Sequence, residues 1–338
     1  MNYFLQPIKV KTRLLNIIKI ITIILINGFN IFFLVISNIC KNCTKKNDHF
    51  CKICSNEILF DGLYIASREK TLNEIIFNNK SITRFGDGEF EIIFGNKILF
   101  QERSQILKNK LLEVLNSNFD NLLIGINIPY KQKYLKYRTD FGKRFWKDWF
   151  NSHKFSLAKI INKRRKYYSA MISRFYSLYK NKKKKRFKVF KYIQKLKKIW
   201  DNRDILIIEG FYSRNGIGND LFINTKSIKR ILCPNKSAFI VYDKIIYEFR
   251  KLKVDKNVLI IITLGPTATI LTYDLFQMGY QVIDLGHCDM EYELYLRNYD
   301  FIQKIPNKFV NGVIGGDTNI SNVTDNNYYK QIVSQIYQ

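Results

Sequence analysis

The sequence predicts an α/β protein, with a Rossmann-like, mostly parallel sheet flanked by helices and an N-terminal hydrophobic helix ahead of it. In the C-terminal half, apolar β-branched runs such as RDILIIEG and NVLIIITL alternate with helical patterns such as KIIYEFRKL. Glycine-rich and polar clusters follow several of these runs, where parallel sheets usually bind ligands. The chain has 338 residues, 46% of them hydrophobic and 15% aromatic. This composition allows a sizeable core and excludes wholesale disorder.

The individual elements begin at about residue 60. TLNEIIFNN predicts a short helix, SITRFGDGEF a strand that ends at an Asp-x-Glu pair, and SQILKNKLLEVLNS a helix. NLLIGINIP predicts a strand and RFWKDWF an aromatic-rich helix. In the C-terminal half, LFINTKSIKRIL is predicted as a helix and SAFIVYD as a strand, while GPTATILTYDLFQMGY predicts a turn and a helix. The last predicted strand is QVIDLGH.

Composition divides the chain into four parts: a basic and hydrophobic segment at 1–39, a Cys-rich linker at 40–58, a main domain at 59–320 and a tail at 321–338. Residues 20–39 carry no charge over a length that matches a bilayer crossing. We interpret them as an uncleaved anchor or an interfacial helix, although their asparagines are costly in lipid. The alternative is a helix packed against the main domain.

The linker contains two CxxC pairs, formed by Cys40 with Cys43 and by Cys51 with Cys54. Together the four thiolates could close a tetrahedral zinc shell, although the spacing between the pairs is shorter than in the usual zinc ribbon. The alternative is two thiol pairs without a metal. Cys233 and Cys288 are predicted to be ordinary buried thiols.

The charge balance indicates an anionic partner. The chain has 56 Lys and Arg against 28 Asp and Glu, a formal net charge of +28. Nucleic acid, an acidic membrane face and phosphorylated substrates all fit this excess. The basic run at 154–200 is most often a solvated helix face, and otherwise a face resting on anionic lipid or, less favoured, on nucleic acid.

Against this background, the acidic pair in RFGDGE predicts a cation site. On an extended chain, residues two apart project the same way, so Asp87 and Glu89 could converge on one hard cation. Gly88 between them lets a ligand approach closely, and Arg84 could contact the phosphates of that ligand. The alternative is a solvated turn capped by Asp87.

The segment LGPTAT predicts an anion cradle. Pro266 suits a first helical turn, and the free N–H groups of residues 267–269 would face an anion. The segment lacks the Walker lysine and the GxGxxG spacing, so neither a P-loop enzyme nor a dinucleotide-binding enzyme is supported. Simple capping of the helix by threonine is the alternative.

Two further clusters follow predicted strands. In EGFYSRNGIGND, Arg214 lies in a glycine loop that could cover a charged ligand, and Glu209 could accept hydrogen bonds from sugar hydroxyls. In LGHCDMEYE, His287 stands among acidic residues and could complete a metal shell or take a proton from an acceptor hydroxyl. The alternatives are a capped glycine loop and a structural histidine.

With these segments together, the chain resembles the GT-D family of glycosyltransferases. The matching stretches are RFGDGEFEII, SAMISRFY, DILIIEGFYSRNGIGNDLF, KSIKRILCP, LGPTATILTYDL and GYQVIDLGHCDMEYE. The resemblance implies a Rossmann-like GT-D fold, a nucleotide-diphosphate sugar donor and an Asp-x-Glu motif that assists divalent-metal binding. Asp87 and Glu89 carry over as the residues that bind Mn²⁺ or Mg²⁺ and the diphosphate. The N-terminal apolar segment, the CxxC pairs and the lysine enrichment depart from the family pattern.

The other candidate residues lie in family-like segments, and their roles are hypotheses. We assign catalytic roles to His287, Asp289 and Glu291, and donor-binding roles to Arg84, Glu209, Arg214, Thr267 and Thr269. Arg174, Asn219 and Asp220 lie in matching segments without an assigned role.

These observations predict a metal-dependent hexosyltransferase that moves a sugar, UDP-linked by family analogy, to a glycan acceptor. The acceptor would belong to a surface polysaccharide, a glycolipid or a glycoprotein glycan. The expected location is the cytoplasmic side of the cell membrane, attached by the N-terminal segment, with no nucleic acid as partner. The alternatives are a non-catalytic basic protein that binds membrane or nucleic acid, and a luminal enzyme whose sequons, such as Asn42-Cys43-Thr44, would carry glycans.

Overall fold

The computed structural model describes residues 56–318 and 320–338, and its centre is a nine-stranded sheet. In the described residues every strand pair is parallel, in the order β1-β4-β3-β2-β8-β7-β5-β6-β9. The strands are β1 (Tyr64–Ile65), β2 (Ser81–Phe85), β3 (Leu122–Ile126), β4 (Lys166–Ser169), β5 (Asp204–Gly210), β6 (Ser227–Cys233), β7 (Leu259–Thr263), β8 (Val282–Asp284) and β9 (Ile332–Gln335). This architecture confirms the predicted α/β class with a Rossmann-like parallel sheet.

Helices cover both faces of the sheet. They are α1 (Asn56–Leu59), α2 (Arg68–Asn78), α3 (Asp87–Phe94), α4 (Gln105–Asn116), α5 (Asp140–Ile160), α6 (Arg186–Lys197), α7 (Tyr242–Lys251), α8 (Pro266–Gln277), α9 (Cys288–Leu296) and α10 (Asn326–Gln331). Side chains of α4, α5, α7 and α8 share one apolar core, and those of α2, α6 and α9 share the other. Alternate residues of β5 enter the two cores, as expected for a strand buried on both faces.

The two halves of the chain meet in the middle of the sheet. Strands β1 to β4 form one side and β5 to β9 form the other, and β2 pairs with β8 through Ile82 and Ile283. The order of the strands therefore changes direction at this seam. In open α/β sheets, ligands bind beyond the carboxyl ends of the strands at such a point.

One predicted helix is a strand. LFINTKSIKRIL was expected to be helical, but Ser227–Cys233 forms β6 and pairs with β5 over its whole length. The apolar spacing misled the prediction because Arg230 interrupts the strand pattern. Its side chain is only 1% exposed and pairs with Glu209, so this arginine occupies a core position of the strand.

Two boundaries also differ from the prediction. SAFIVYD was expected to be a strand, but it forms a 3₁₀ turn at Ala238–Val241 that leads into α7. A short apolar run is ambiguous between strand and helix, and here the chain first turns at Ser237, whose φ is +50°. SITRFGDGEF splits into β2 and the first turn of α3, so its Asp-x-Glu pair is helical.

The N-terminal predictions fall on residues that the structure does not describe. The segment 1–39 and the four linker cysteines Cys40, Cys43, Cys51 and Cys54 lie there, so the anchor and the zinc site stay predictions. Among the described residues, no helix combines the length and apolarity needed to cross a bilayer. At the other end, residues 321–338 contribute α10 and β9, and β9 extends the sheet beside β6.

Candidate active site

The fold brings the predicted segments to one edge of the sheet. Asp87 follows β2 and His287 follows β8. Glu209 is the penultimate residue of β5, and β7 leads to Gly265. Because these strands are parallel and run in the order β2-β8-β7-β5, their carboxyl ends form one continuous rim. The structure therefore places these four polar segments along one edge.

The acidic pair occupies the first turn of α3. Asp87 is the first helical residue, and Glu89 turns back so that its Oε2 accepts a hydrogen bond from the Gly86 N–H at 2.7 Å. Residues two apart on a helix diverge by about 200°. The expectation that both side chains project the same way along a strand is therefore wrong, although both remain at the same helix N-terminus.

Both carboxyl groups are costly to ionise in the protein alone. Burial raises the pKa of Glu89 to about 7, and the negative charges of Asp284 and Asp87 add to this shift. Burial also raises the pKa of Asp87, against the opposing effects of nearby backbone N–H groups and of Arg174. The helix N-terminus provides partial positive charge but no full counter-charge. A cation bound here would supply that charge.

The guanidinium of Arg84 makes hydrogen bonds within the protein and does not point into the solvent. Its guanidinium donates to the backbone oxygen and the Oδ1 of Asp284, both at 2.8 Å, and to Ala170 O and Ser173 Oγ. Gly286, with φ of +45°, passes so close that a Cβ there would overlap the guanidinium. Arg84 thus joins β2 to β8, and its contacts argue against a direct role in binding phosphate.

Arg174 is a cation whose charge acts on Asp87 in the acidic turn. It lowers the pKa of Asp87, and its side chain is 23% exposed while it contacts Glu291 Oε1 at 3.5 Å. The motif SAMISRFY was noted without a role for this residue. The position of Arg174 after β4 could have indicated a place in the site, because the carboxyl end of β4 reaches the same rim.

His287 lies beside Arg174 and Arg84 at the start of α9. Burial lowers its pKa well below the usual value, and the two guanidinium groups lower it further, so the imidazole is neutral at physiological pH. Within the described residues, its ring makes no hydrogen bond to another protein group. A neutral imidazole with free nitrogens can donate to or accept from a ligand hydroxyl.

The acidic residues of α9 are saturated by internal partners. Glu291 is fully buried and accepts from Tyr176 N at 2.7 Å, Ser177 N at 2.8 Å and the Ser177 hydroxyl. Asp289 accepts from Gly216 N and Asn219 and pairs with Lys308 at 2.6 Å. These contacts favour positioning roles over the catalytic roles expected from the sequence.

Glu209 and Arg214 also face inward. Glu209 is fully buried and accepts from Asn215 N at 2.7 Å, from the Asn215 amide and from Arg230. Arg214 is 4% exposed and donates to Asn307 O and Ser321 O. Hence neither side chain is arranged to meet a sugar donor, contrary to the expectation.

The threonine hydroxyls of LGPTAT are used within the protein as well. Thr269 donates to Arg84 O at 2.9 Å, and Thr267 donates to the Gln101 side chain at 3.3 Å. Gly265 has φ of +54°, and the ring of Phe100 occupies the space where its Cβ would stand. The predicted anion cradle is therefore reduced to backbone N–H groups beneath Phe100, a contact that the sequence did not indicate.

The described residues offer a two-carboxylate cation site at most. No group of three or more His, Cys, Asp or Glu side chains in this part of the chain is arranged to hold a metal. Mg²⁺ and Mn²⁺ often use one or two carboxylates, with substrate phosphates and water as further ligands. Asp87 and Glu89 fit that pattern. Cys233 and Cys288 are buried free thiols whose pKa values burial raises.

Comparison with known proteins decides the family. A family model described as "Glycosyltransferase GT-D fold" matches residues 82–313, more than half of the chain. The chain belongs to the GT-D family of glycosyltransferases. The resemblance noted in the sequence and the predicted fold class are both confirmed.

Two relatives of this GT-D chain are named as glycosyltransferases. It is 34% identical over 277 residues to "Glycosyltransferase GlyD" from Streptococcus pneumoniae serotype 4 (strain ATCC BAA-334 / TIGR4), covering 82% of this chain and 33% of that protein. It is 34% identical over 275 residues to "Probable glycosyl transferase Gly" from Streptococcus gordonii, covering 81% and 39%. The chain therefore spans between a third and two fifths of the length of these relatives.

Solved GT-D structures match almost end to end. One, described by the words "The highly conserved domain of unknown function 1792 has a distinct glycosyltransferase fold", has a TM-score of 0.77 at 34% identity and covers 84% of this chain and 99% of that one. Another, "A New Glycosyltransferase (DUF1792) from Streptococcus sanguinis", has a TM-score of 0.75 at 31% identity and covers 81% and 100%. The described domain thus corresponds to a complete chain in these structures.

Proposed function

We propose that this GT-D domain transfers a sugar from a nucleotide-diphosphate donor, UDP-linked, to a glycan acceptor with the help of Mn²⁺ or Mg²⁺. The acceptor would be part of a surface polysaccharide, a glycolipid or a glycoprotein glycan. The observation that carries the proposal is the acidic turn after β2, where Asp87 and Glu89 lie at one helix N-terminus and the charge of Arg174 acts on Asp87, at the direction change of the sheet. Elsewhere along the rim, Glu209, Asp289 and Glu291 have internal partners.

The acidic turn would hold the divalent cation, which neutralises the developing charge of the nucleotide diphosphate leaving group when bound. Arg174 is partly exposed and adds positive charge beside Asp87. The backbone N–H groups at the start of α8 add less, because Phe100 covers Gly265 and residues 267–269 are fully buried. A diphosphate would therefore meet an electropositive surface bordered by two carboxylates.

His287 would contact the acceptor side of the site. Its lowered pKa keeps the ring neutral, so it would hydrogen-bond an acceptor hydroxyl rather than repel the bound cation. Glu291 would act indirectly, since it holds the segment that carries Arg174. Asp289 would likewise fix the loop at Gly216.

We also propose that the domain works on the cytoplasmic side of a membrane, attached by the apolar segment 20–39. The proposal is supported by the uncharged length of that segment. Nucleotide sugars supplied in the cytosol would then reach the acidic turn directly.

The test is incubation of the purified full chain with Mn²⁺ and a panel of nucleotide sugars, followed by measurement of nucleotide release. We expect release from one donor class, lost on chelation and reduced about 100-fold or more by Asp87→Asn. Asp204→Asn is the matched control, since this exposed aspartate begins β5 at the opposite edge of the sheet. Full release by Asp87→Asn, or no release by folded, metal-loaded wild type from any donor, would overturn the proposal.

A further inference from the structure

The first turns of α5 and α6 form a single surface beside the candidate active site. The two helices pack on opposite faces of the sheet, yet the segments before them are joined. Thr139 N donates to Leu178 O at 2.9 Å, and Lys180 Nζ lies 2.5 Å from Asp140 Oδ1. The Lys185 ammonium lies 4.9 Å from the centre of the Tyr137 ring. Because both helices begin at the carboxyl edge of the sheet, this surface lies on the same side as the acidic turn.

This surface exposes large aromatic side chains among lysines. Phe141 is 73% exposed, Phe187 66% and Tyr137 55%. We name it the basic rim and define it by Tyr137, Phe141, Lys184, Phe187, Lys188 and Lys191. The Lys191 ammonium lies 4.6 Å from the centre of the Phe187 ring, so charge and apolar area are interleaved.

The positive charge of the basic rim is largely uncompensated. Asp140 and Asp300, two carboxylates that contact this surface, are paired with Lys180 and Lys183. Within the described ranges, Lys184, Lys188 and Lys191 make no ion pair and are exposed. A solvated face accounts for these lysines, and the exposed phenylalanines beside them add apolar area that would be more stable out of water.

We propose that the basic rim is a docking surface for an anionic lipid membrane. Lysines attract the negative headgroups, and each lysine near the surface raises partitioning about five-fold. Phenylalanine side chains enter the boundary between headgroups and acyl chains, as in interfacial helices. A membrane is favoured over nucleic acid because the most exposed rings are wholly apolar and because the same chain carries the uncharged segment 20–39.

Docking through the basic rim would orient the candidate active site relative to the membrane. The chain runs from Arg174 through Tyr176 and Ser177, which Glu291 holds, directly to Lys180 and the start of α6. The membrane would therefore lie beside the acidic turn rather than behind the sheet. An acceptor attached to lipid would reach the site along the bilayer surface. This inference concerns binding and does not depend on the proposed sugar transfer.

The test uses a tryptophan reporter in the full chain. The native Trp146, Trp149 and Trp200 are buried, with 6%, 8% and 0% exposure, so they report little from the surface. In Phe187→Trp, vesicles of phosphatidylglycerol with brominated acyl chains should quench the new fluorescence, and brominated phosphatidylcholine vesicles should quench it much less. Tyr247→Trp on α7 is the control, because Tyr247 is 65% exposed and lies near the other end of the sheet. Because the tryptophan reports only on its own surroundings, its quenching distinguishes contact through the basic rim from membrane binding through residues 20–39.

A variant with three lysines removed tests whether electrostatic attraction contributes to membrane binding. In the Phe187→Trp background, Lys184→Gln, Lys188→Gln and Lys191→Gln together should lower quenching to the Tyr247→Trp level, since three lysines account for about 100-fold in partitioning. The same change in net charge at Lys229, Lys244 and Lys253 should leave quenching intact. Equal quenching by neutral vesicles, no quenching at all, or a fluorescence change given by an RNA or DNA oligomer and not by vesicles would overturn the proposal.

Discussion

Two groups of carboxylates lie along the same edge of the sheet and differ in what surrounds them. Glu209, Asp289 and Glu291 are buried and receive several internal hydrogen bonds each. Asp87 and Glu89 are partly exposed and carry raised pKa values, and the charge of the partly exposed Arg174 acts on Asp87. The first group stabilises the rim. The negative charge of the second group is not balanced within the protein and is left for a cationic ligand.

The comparison shows that an acidic residue after a strand is not by itself a sign of catalysis. Both groups occupy that position in the sequence. What separates them is whether the protein supplies the counter-charge, as Arg230 does for Glu209 and Lys308 does for Asp289. The following substitutions test this distinction, beginning with the largest expected change in stability.

Glu209→Ala should lower the free energy of unfolding by about 3–5 kcal/mol, because it leaves Arg230 buried without its partner. Urea unfolding followed by circular dichroism measures this loss. Asp204→Ala, at the exposed start of the same strand, should change stability by at most about 1 kcal/mol. A small loss for both variants would contradict an architectural role for Glu209.

Glu291→Ala should lower the free energy of unfolding by about 1–3 kcal/mol, because the buried N–H groups of Tyr176 and Ser177 lose their acceptor. Thermal unfolding measures the loss, and nucleotide release is compared with wild type well below both midpoints. The structural role predicts a lower midpoint together with weaker donor binding, since Arg174 loses its support. An unchanged midpoint with abolished release would instead favour the direct catalytic role.

Glu89→Gln should make the metal-free protein more stable than wild type above pH 7 and not below pH 4.5. The pKa of Glu89 is about 7 in the folded protein and ordinarily near 4.5, so the folded state binds the proton more tightly. Its contribution to stability is complete below pH 4.5 and is lost as the pH rises through about 7. Midpoints measured between pH 4 and 8 test this, with Glu113→Gln on exposed α4 surface as control. A constant difference between wild type and Glu89→Gln across this range would refute it.

Asp87→Asn should not lower the free energy of unfolding at neutral pH, because burial makes the charged carboxylate costly in the folded protein and, among the described residues, it forms no ion pair. The same protein should lose Mn²⁺-dependent nucleotide release. Activity loss without stability loss is the behaviour that separates this group from Glu209. A stability loss comparable to that of Glu209→Ala would remove the distinction.

The sequence was sufficient to predict β2, β3, β5, β7 and β8, and the edge of the sheet at which the polar segments meet. Alternating apolar runs identified β5, β7 and β8, and the parallel arrangement then requires that their carboxyl ends share one edge. The position of Asp87 followed from this rule. The family could also be recognised, because its motifs are spread along the chain in order.

The partners of the rim side chains could not be predicted. Arg230 lies 21 residues after Glu209, and Ser177 lies 114 residues before Glu291, so their pairing depends on the finished fold. The strand β6 was missed for a related reason, because an arginine in a core position disguises the pattern. A sequence pattern shows how regularly the residues of one segment are buried. The partner of a buried charge, in contrast, can come from a segment that is distant in the sequence.

The pairing of β2 with β8 has a consequence for biosynthesis. Ile82 and Ile283 are neighbours in the sheet, so the acidic turn has one of its bordering strands only after about 200 further residues have been made. At ordinary rates of translation this delay is about 10 to 40 s. The rim around the acidic turn therefore stays incomplete until late in synthesis, and premature termination before β8 would yield chains that lack the segment of His287.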